Sequence, residues 1–131
     1  MVRLSGTAID DSAGFSMKGR NFLDVCLPCE RAFYAEVTKA TVQQPCGVQL
    51  TRIITLKFGQ RYQYNALFFP LADRNGVPRY IVGMAKLSVE DMYDEMNHSN
   101  QMFSEISEFS YIDIGNGVPP MPALMPGPKL D

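Results

Sequence analysis

The chain has 131 residues, 46% of them hydrophobic, and a formal net charge of −2. That length buries one core and is too short for two domains. No apolar run approaches the roughly 20 residues that span a bilayer, and the start MVRLSGTAIDD lacks the basic-then-apolar layout of a signal peptide. A cytoplasmic protein is therefore expected, with neither a membrane nor a nucleic acid as partner. Three cysteines, an odd number, argue against a disulfide framework and for a reducing compartment. Charge is spread unevenly: residues 1–86 hold 11 Lys and Arg against 6 Asp and Glu, and residues 87–131 hold 1 against 8. The acidic C-terminal region is either a solvated helix face or a segment that docks on a basic surface.

Residues 1–28 mix turn signals (Ser5-Gly6, Gly14, Gly19) with short apolar clusters, which suggests one short strand and small helical turns. Residues 29–44, CERAFYAEVTKATVQQ, place Ala32, Phe33, Val37, Ala40 and Thr41 at helical spacing. Pro28 and Glu30 suit a first turn, and Pro45 and Gly47 end the helix. In CGVQLTRIITLKF, Val48, Leu50, Ile54 and Leu56 alternate with Gln49, Thr51, Thr55 and Lys57, the period of a half-buried strand. RYQYNALFFPLAD and PRYIVGMAKL follow as strands, joined by the hairpin signal Asn75-Gly76. Both faces of Leu67-Phe68-Phe69-Pro70-Leu71 are apolar, so the outer face needs a cover.

Beyond the strands, Val89, Met92, Met96, Phe103 and Ile106 lie on a 3-4 spacing that predicts an amphipathic helix over about residues 88–108, with Ser88 and Asp91 at its start. FSYIDIG, residues 109–115, has β-prone alternation. Residues 115–131 hold five Pro and three Gly and read as a flexible tail. Three segments result: a core over 1–87, a helix and possible added strand over 88–114, and the tail over 115–131.

Chemistry concentrates in DVCLPCE, where Cys26 and Cys29 have C-x-x-C spacing at a helix start. Helix N-termini favour thiolate, so the two are redox candidates. A zinc set of Cys26, Cys29, Cys46 and His98 lacks the close spacing of a second ligand pair, and no metal is expected. The remaining reading makes Cys26 a small core residue beside Leu23 and Leu27. No nucleophile, base and orienter occur together, which argues against an enzyme.

The order of elements, with RLSGTA, GRNFLD, PLAD and YIDIGNGVP, resembles a PAS domain and is closest to short bacterial single-PAS proteins. The resemblance covers about residues 3–115. It implies an α+β fold, an antiparallel sheet with small helices and one longer helix on one face, to which the C-terminal amphipathic helix is added. It also implies a sensory or interaction module, some members of which hold flavin, haem or a small metabolite. One element departs: a PAS sheet normally has five strands, and no sequence before Arg3 is left for the first.

GRNFLD is similar to the flavin photoreceptor pattern, but Phe22 stands where the adduct-forming cysteine would be. The flavin-bonding positions fall on Ile54, Tyr64 and Ala85, which lack the polar groups. Asn65 is one residue out and points to the other face. Residues 29–44 contain no histidine for haem. No cofactor is expected.

A pocket between sheet and helices would be lined by Phe22, Tyr34, Ile54, Tyr64, Phe68, Ile81 and Ala85, with core packing as the competing reading and a small apolar ligand as the occupant. The expected function is signalling through an unidentified protein partner and a homodimer whose interface uses Leu67, Phe69, Leu71, Val89, Met92, Met96 and Phe103. A thiol redox sensor on Cys26 and Cys29 is the alternative.

Overall fold

A computed structural model describes residues 1–7, 9–10, 15–56, 61–87, 101–123 and 129–130. Helix α1 spans Phe22–Val25, a 3-10 turn spans Pro28–Glu30, and helix α2 spans Arg31–Gln43. The strands are β1 (Gly47–Leu56), β2 (Arg61–Ala72), β3 (Pro78–Leu87), β4 (Gln101–Ile112) and β5 (Lys129–Leu130). They form one sheet in the order β3-β2-β1-β4-β5, with every neighbouring pair antiparallel. This is the α+β, PAS-like architecture expected from the sequence.

Helix α2 forms where expected, because Phe33, Tyr34, Val37 and Thr41 recur at helical spacing and all four are buried. They cover the inner face of the sheet, where Val48, Leu50 and Ala66 complete a cluster with Phe33, Tyr34 and Val37. Burying a side chain the size of Phe33 or Leu50 contributes about 2–3 kcal/mol. The sheet's alternation holds across three strands: Val48, Leu50 and Arg52 pair with Phe68, Ala66 and Tyr64, which pair in turn with Gly83, Ala85 and Leu87. Pro70 is tolerated inside β2 because the pairing with β1 ends at Phe68, so beyond it β2 bonds only toward β3.

The β2–β3 hairpin closes through Asp73–Val77 rather than through a two-residue turn. Asp73 Oδ1 accepts from Asn75 N at 2.8 Å and Val77 N at 3.1 Å, and Asp73 N donates to Val77 O at 2.8 Å. Gly76 has φ +77°, a conformation that L side chains rarely adopt. Near the N-terminus, Val2 exchanges backbone bonds with Gly19 and Arg20, at 2.7 Å each. No strand forms among the described residues of 1–28.

The helix expected over 88–108 needs correction. Residues 88–100, which carry Val89, Met92 and Met96, lie outside the described residues, whereas Gln101–Ile112 is strand β4. The pairing with β1 explains the misleading pattern. Thr51 pairs with Glu108 and Arg52 with Ile106, so Ser107 is an extra residue in a bulge. Ser104 and Ile106 precede the bulge, Phe109 and Tyr111 follow it, and the slip keeps both pairs on the inner face. The residues read as a helical stripe here, Phe103 and Ile106, pair with Thr55 and Arg52 and take opposite phases of the strand, and their three-residue separation imitates a helical step.

Of the β-prone segment 109–115, residues 109–112 enter the sheet as the end of β4, within the same chain and beside β1. The tail expected to be flexible makes defined contacts in its first part: Gln44 Nε2 donates to Asn116 O at 2.9 Å, Ala123 N donates to Glu36 Oε1 at 3.2 Å, and Pro122 is buried.

Candidate functional site

Arg52 sits on β1 in the inward phase, between Leu50 and Ile54, where the pattern otherwise requires an apolar residue. Its side chain is 12% exposed, and its partner Glu30 is 3% exposed. Nη1 donates to Glu30 Oε1 and Nη2 to Glu30 Oε2, each at 2.7 Å, a bidentate pair. Nη1 also donates to Ser104 Oγ at 2.7 Å, and Nη2 to the Tyr34 hydroxyl at 2.6 Å. One guanidinium therefore joins the 3-10 turn, helix α2, the centre of the sheet and strand β4.

The electrostatics follow from that geometry. Burial works against the charge on Arg52, but its hydrogen bonds to Glu30 and the charge of that carboxylate, together with Tyr34, outweigh it and hold its pKa above the usual value. Burial first, and Glu30 in addition, push the Tyr34 hydroxyl up to about 12 against the pull of Arg52. Burial likewise raises Tyr64, which Arg52 partly offsets. The cluster is neutral as a pair and tied on both sides, the condition under which a buried charge is tolerated.

Rings close the space around it. Phe22 meets Tyr34 edge-on at 5.6 Å, Tyr34 meets Phe33 at 5.2 Å, and Phe33 meets Phe109 at 5.3 Å. Phe68 lies over Gly83 so closely that a Cβ there would fall 2.7 Å from its ring. Of the residues expected to line a pocket, Phe22, Tyr34, Tyr64, Phe68 and Ala85 pack in or against one core cluster. Ile54 is buried on the same face, and Ile81 is half-buried opposite Pro70.

The inner face does not fit a flavin or haem. The gap at Gly83 is filled by Phe68, and Arg52 is engaged by Glu30. Among the described residues no three His, Cys, Asp or Glu side chains gather as a metal set. His98 lies outside those residues.

Cys26 precedes the 3-10 turn and Cys29 lies within it, both as free thiols. The Cys26 thiol donates to Phe22 O at 3.2 Å. Burial and then Glu30 push its pKa up to about 11, so the thiol rather than the thiolate is favoured. The helix start expected to activate Cys26 is opposed by a carboxylate and a dry setting. Cys29 is exposed, and Cys46 is fully buried.

The outer face is different. Leu67 pairs with Met84, Phe69 with Val82 and Leu71 with Tyr80, an apolar patch across β2 and β3. Met84 is 64% exposed, Leu71 47% and Val82 44%. Arg3 stacks on the Tyr80 ring at 4.8 Å at one end of the patch. Of the expected interface residues, Leu67, Phe69 and Leu71 are brought together here. Phe103 is placed elsewhere, on β4 opposite Thr55, six residues along β1 from the partner of Leu67, or ~20 Å.

The sequence reading passed over Arg52, which breaks the apolar phase between Leu50 and Ile54, gave Glu30 only a place in a first helical turn, and did not single out Ser104. A lone charge in the inward phase of a buried strand is the signal that finds it. On the outer face, Val82 and Met84 follow from the same register once β3 is paired with β2.

Among the described residues no helix is long and apolar enough to cross a membrane. Neither the curated proteins nor the solved structures contain a match to the chain. A family model described as PAS domain matches residues 1–86, which takes in α1, α2 and the first three strands and stops before β4. PAS domains are in general sensory modules, and the chain, with its helix over an antiparallel sheet and two thirds of its length matched, belongs to the PAS domain family.

Proposed function

We propose that this PAS domain is a non-enzymatic signalling module that acts through protein–protein contacts and homodimerisation, with the outer face of β2–β3 as its contact surface. The observation that carries the reading is the exposed apolar patch of Leu67, Phe69, Leu71, Val82 and Met84 on a strand pair whose other face is closed by packed rings. Apolar groups aligned across two strands lose their solvent cost when covered by a partner. A small apolar ligand would have to displace the rings at Phe22, Tyr34 or Phe68, so the reading relies on protein contacts alone. Sedimentation velocity over a concentration series is the test. A dimer that dissociates on dilution and is lost in Leu71→Glu, with melting unchanged, supports the proposal; a monomer at every concentration refutes it.

The redox alternative is disfavoured by the setting of Cys26, whose thiol is held protonated and directed at Phe22 O. Alkylation at neutral pH should modify exposed Cys29 well before Cys26. Equal rapid labelling of both, or an oxidant-induced bridge between them, would revive the thiol sensor.

A further inference from the structure

The chain beyond β4 doubles back over helix α2. Asp113 Oδ1 accepts from Gly115 N at 2.8 Å and from Gly117 N at 3.1 Å, and both glycines have positive φ, +122° and +72°, so a tight turn reverses the chain here. Residues 118–123 then run as a strap, neither helix nor strand, from the C-terminal end of α2 toward its middle. Gln44 Nε2 donates to Asn116 O at 2.9 Å, and Ala123 N donates to Glu36 Oε1 at 3.2 Å. Pro122 is buried, whereas Val118 and Met121 are 47% and 57% exposed.

On the same flank of α2 a polar group goes unsatisfied. Phe33 meets Phe109 at 5.3 Å and Phe109 meets Tyr111 at 5.0 Å, which brings Tyr111 to the side of the helix where Glu36 follows Phe33 by three residues. The Tyr111 hydroxyl is screened from solvent and has no hydrogen-bond partner among the described residues. Burial first, then Cys46 and Glu36, raise its pKa, so the Glu36 carboxylate is near enough to act on it. An unpaired buried donor lowers the population of the state that holds it by ~5–150-fold.

We infer that residues 113–123 form a two-position latch with Glu36 as its pivot: in the seated position the carboxylate holds Ala123 N, and in the released position it accepts from the Tyr111 hydroxyl instead. Seating buries Pro122 and satisfies Ala123 N but leaves the phenol unpaired. Release gives the phenol a charged acceptor and returns Pro122 and Ala123 to water. Each position lacks what the other supplies, the condition for two populated states. The strap is lightly anchored, by two exposed hydrogen bonds and one proline, while α2 is held in the core by Phe33 and Val37. Release therefore changes the surface of this flank and leaves helix and sheet in place. Because α2 covers the inner face, the latch is separate from the outer β2–β3 patch and does not depend on the dimer reading.

Hydrogen exchange of single amides, read by NMR on the full chain, tests the latch. In the wild type the Ala123 amide should exchange by local opening, faster than the Val37 amide of α2 and at a rate that low denaturant leaves unchanged. Tyr111→Phe keeps the ring and removes the unpaired hydroxyl, so it should slow Ala123 exchange about tenfold. Glu36→Ala should abolish the protection of Ala123, with Val37 unchanged as the check on the fold. If Ala123 in the wild type exchanges only together with Val37, the strap is part of the core and the latch is wrong, whatever the variants do. Equal Ala123 rates in the wild type and Tyr111→Phe, or protection retained in Glu36→Ala, would also overturn it.

Discussion

Arg52 and Met84 are each out of place by composition, a cation in the core and a thioether in solvent, and the way each is accommodated separates the two faces of the sheet. Arg52 is met by a carboxylate, a phenol and a hydroxyl, all within 2.7 Å. Met84 has Leu67 beside it across the strand pair and remains 64% exposed. The inner face is packed by its own side chains, whereas the outer face leaves Met84, Leu71 and Val82 exposed. Under the proposed function the first supplies stability and the second recognition.

The largest effect should come from breaking the inner cluster. Arg52→Met leaves Glu30 buried without its partner and should cost about 3–5 kcal/mol in denaturant unfolding. Replacing both, Arg52→Met with Glu30→Leu, should restore most of that loss, because the uncompensated carboxylate is gone. Gly83→Ala places a methyl against the Phe68 ring and should cost about 1–3 kcal/mol, unless that ring rotates away. Tyr34→Phe removes one acceptor from the guanidinium while keeping the ring, for a loss of about 1–2 kcal/mol. Met84→Lys, on the outer face, should change monomer stability by less than about 0.5 kcal/mol while weakening self-association. A large stability loss from Met84→Lys would erase the distinction between the faces.

A smaller effect appears in alkali. The Cys26 pKa is raised from 9.0 to about 11, so between those values the unfolded chain sheds a proton that the folded chain retains. Stability is therefore unaffected below about pH 9 and falls as pH rises toward 11. Tyr34, raised from 10.0 to about 12, extends the decline upward. Melting curves across this range should show the fall, and Cys26→Ala should delay its onset.

Much of the fold was legible in the sequence because periodicity reports it directly. The 3.6-residue spacing in α2 and the two-residue alternation in β1 place both elements within a few residues of their observed limits. Strand β4 was hidden because Phe103 and Ile106, which pair with Thr55 and Arg52 and so take opposite phases of the strand, happen to lie three residues apart and extend the helical stripe of the residues before them. The Arg52 cluster was hidden for another reason. Glu30 and Tyr34 lie one helical turn apart, but Arg52 and Ser104 reach them only through tertiary pairing, which no local pattern shows. The outer patch was half legible: Leu67, Phe69 and Leu71 follow from alternation, while Val82 and Met84 depend on the register with β3.

Amide hydrogen exchange of β3, followed as protein concentration rises, tests the assignment of recognition to the outer β2–β3 region most directly. The amides of Arg79–Leu87 should gain protection with concentration while those of α2, which lie in the closed interior, stay constant. Exchange in β3 that is independent of concentration, in a chain that otherwise self-associates, would contradict the account.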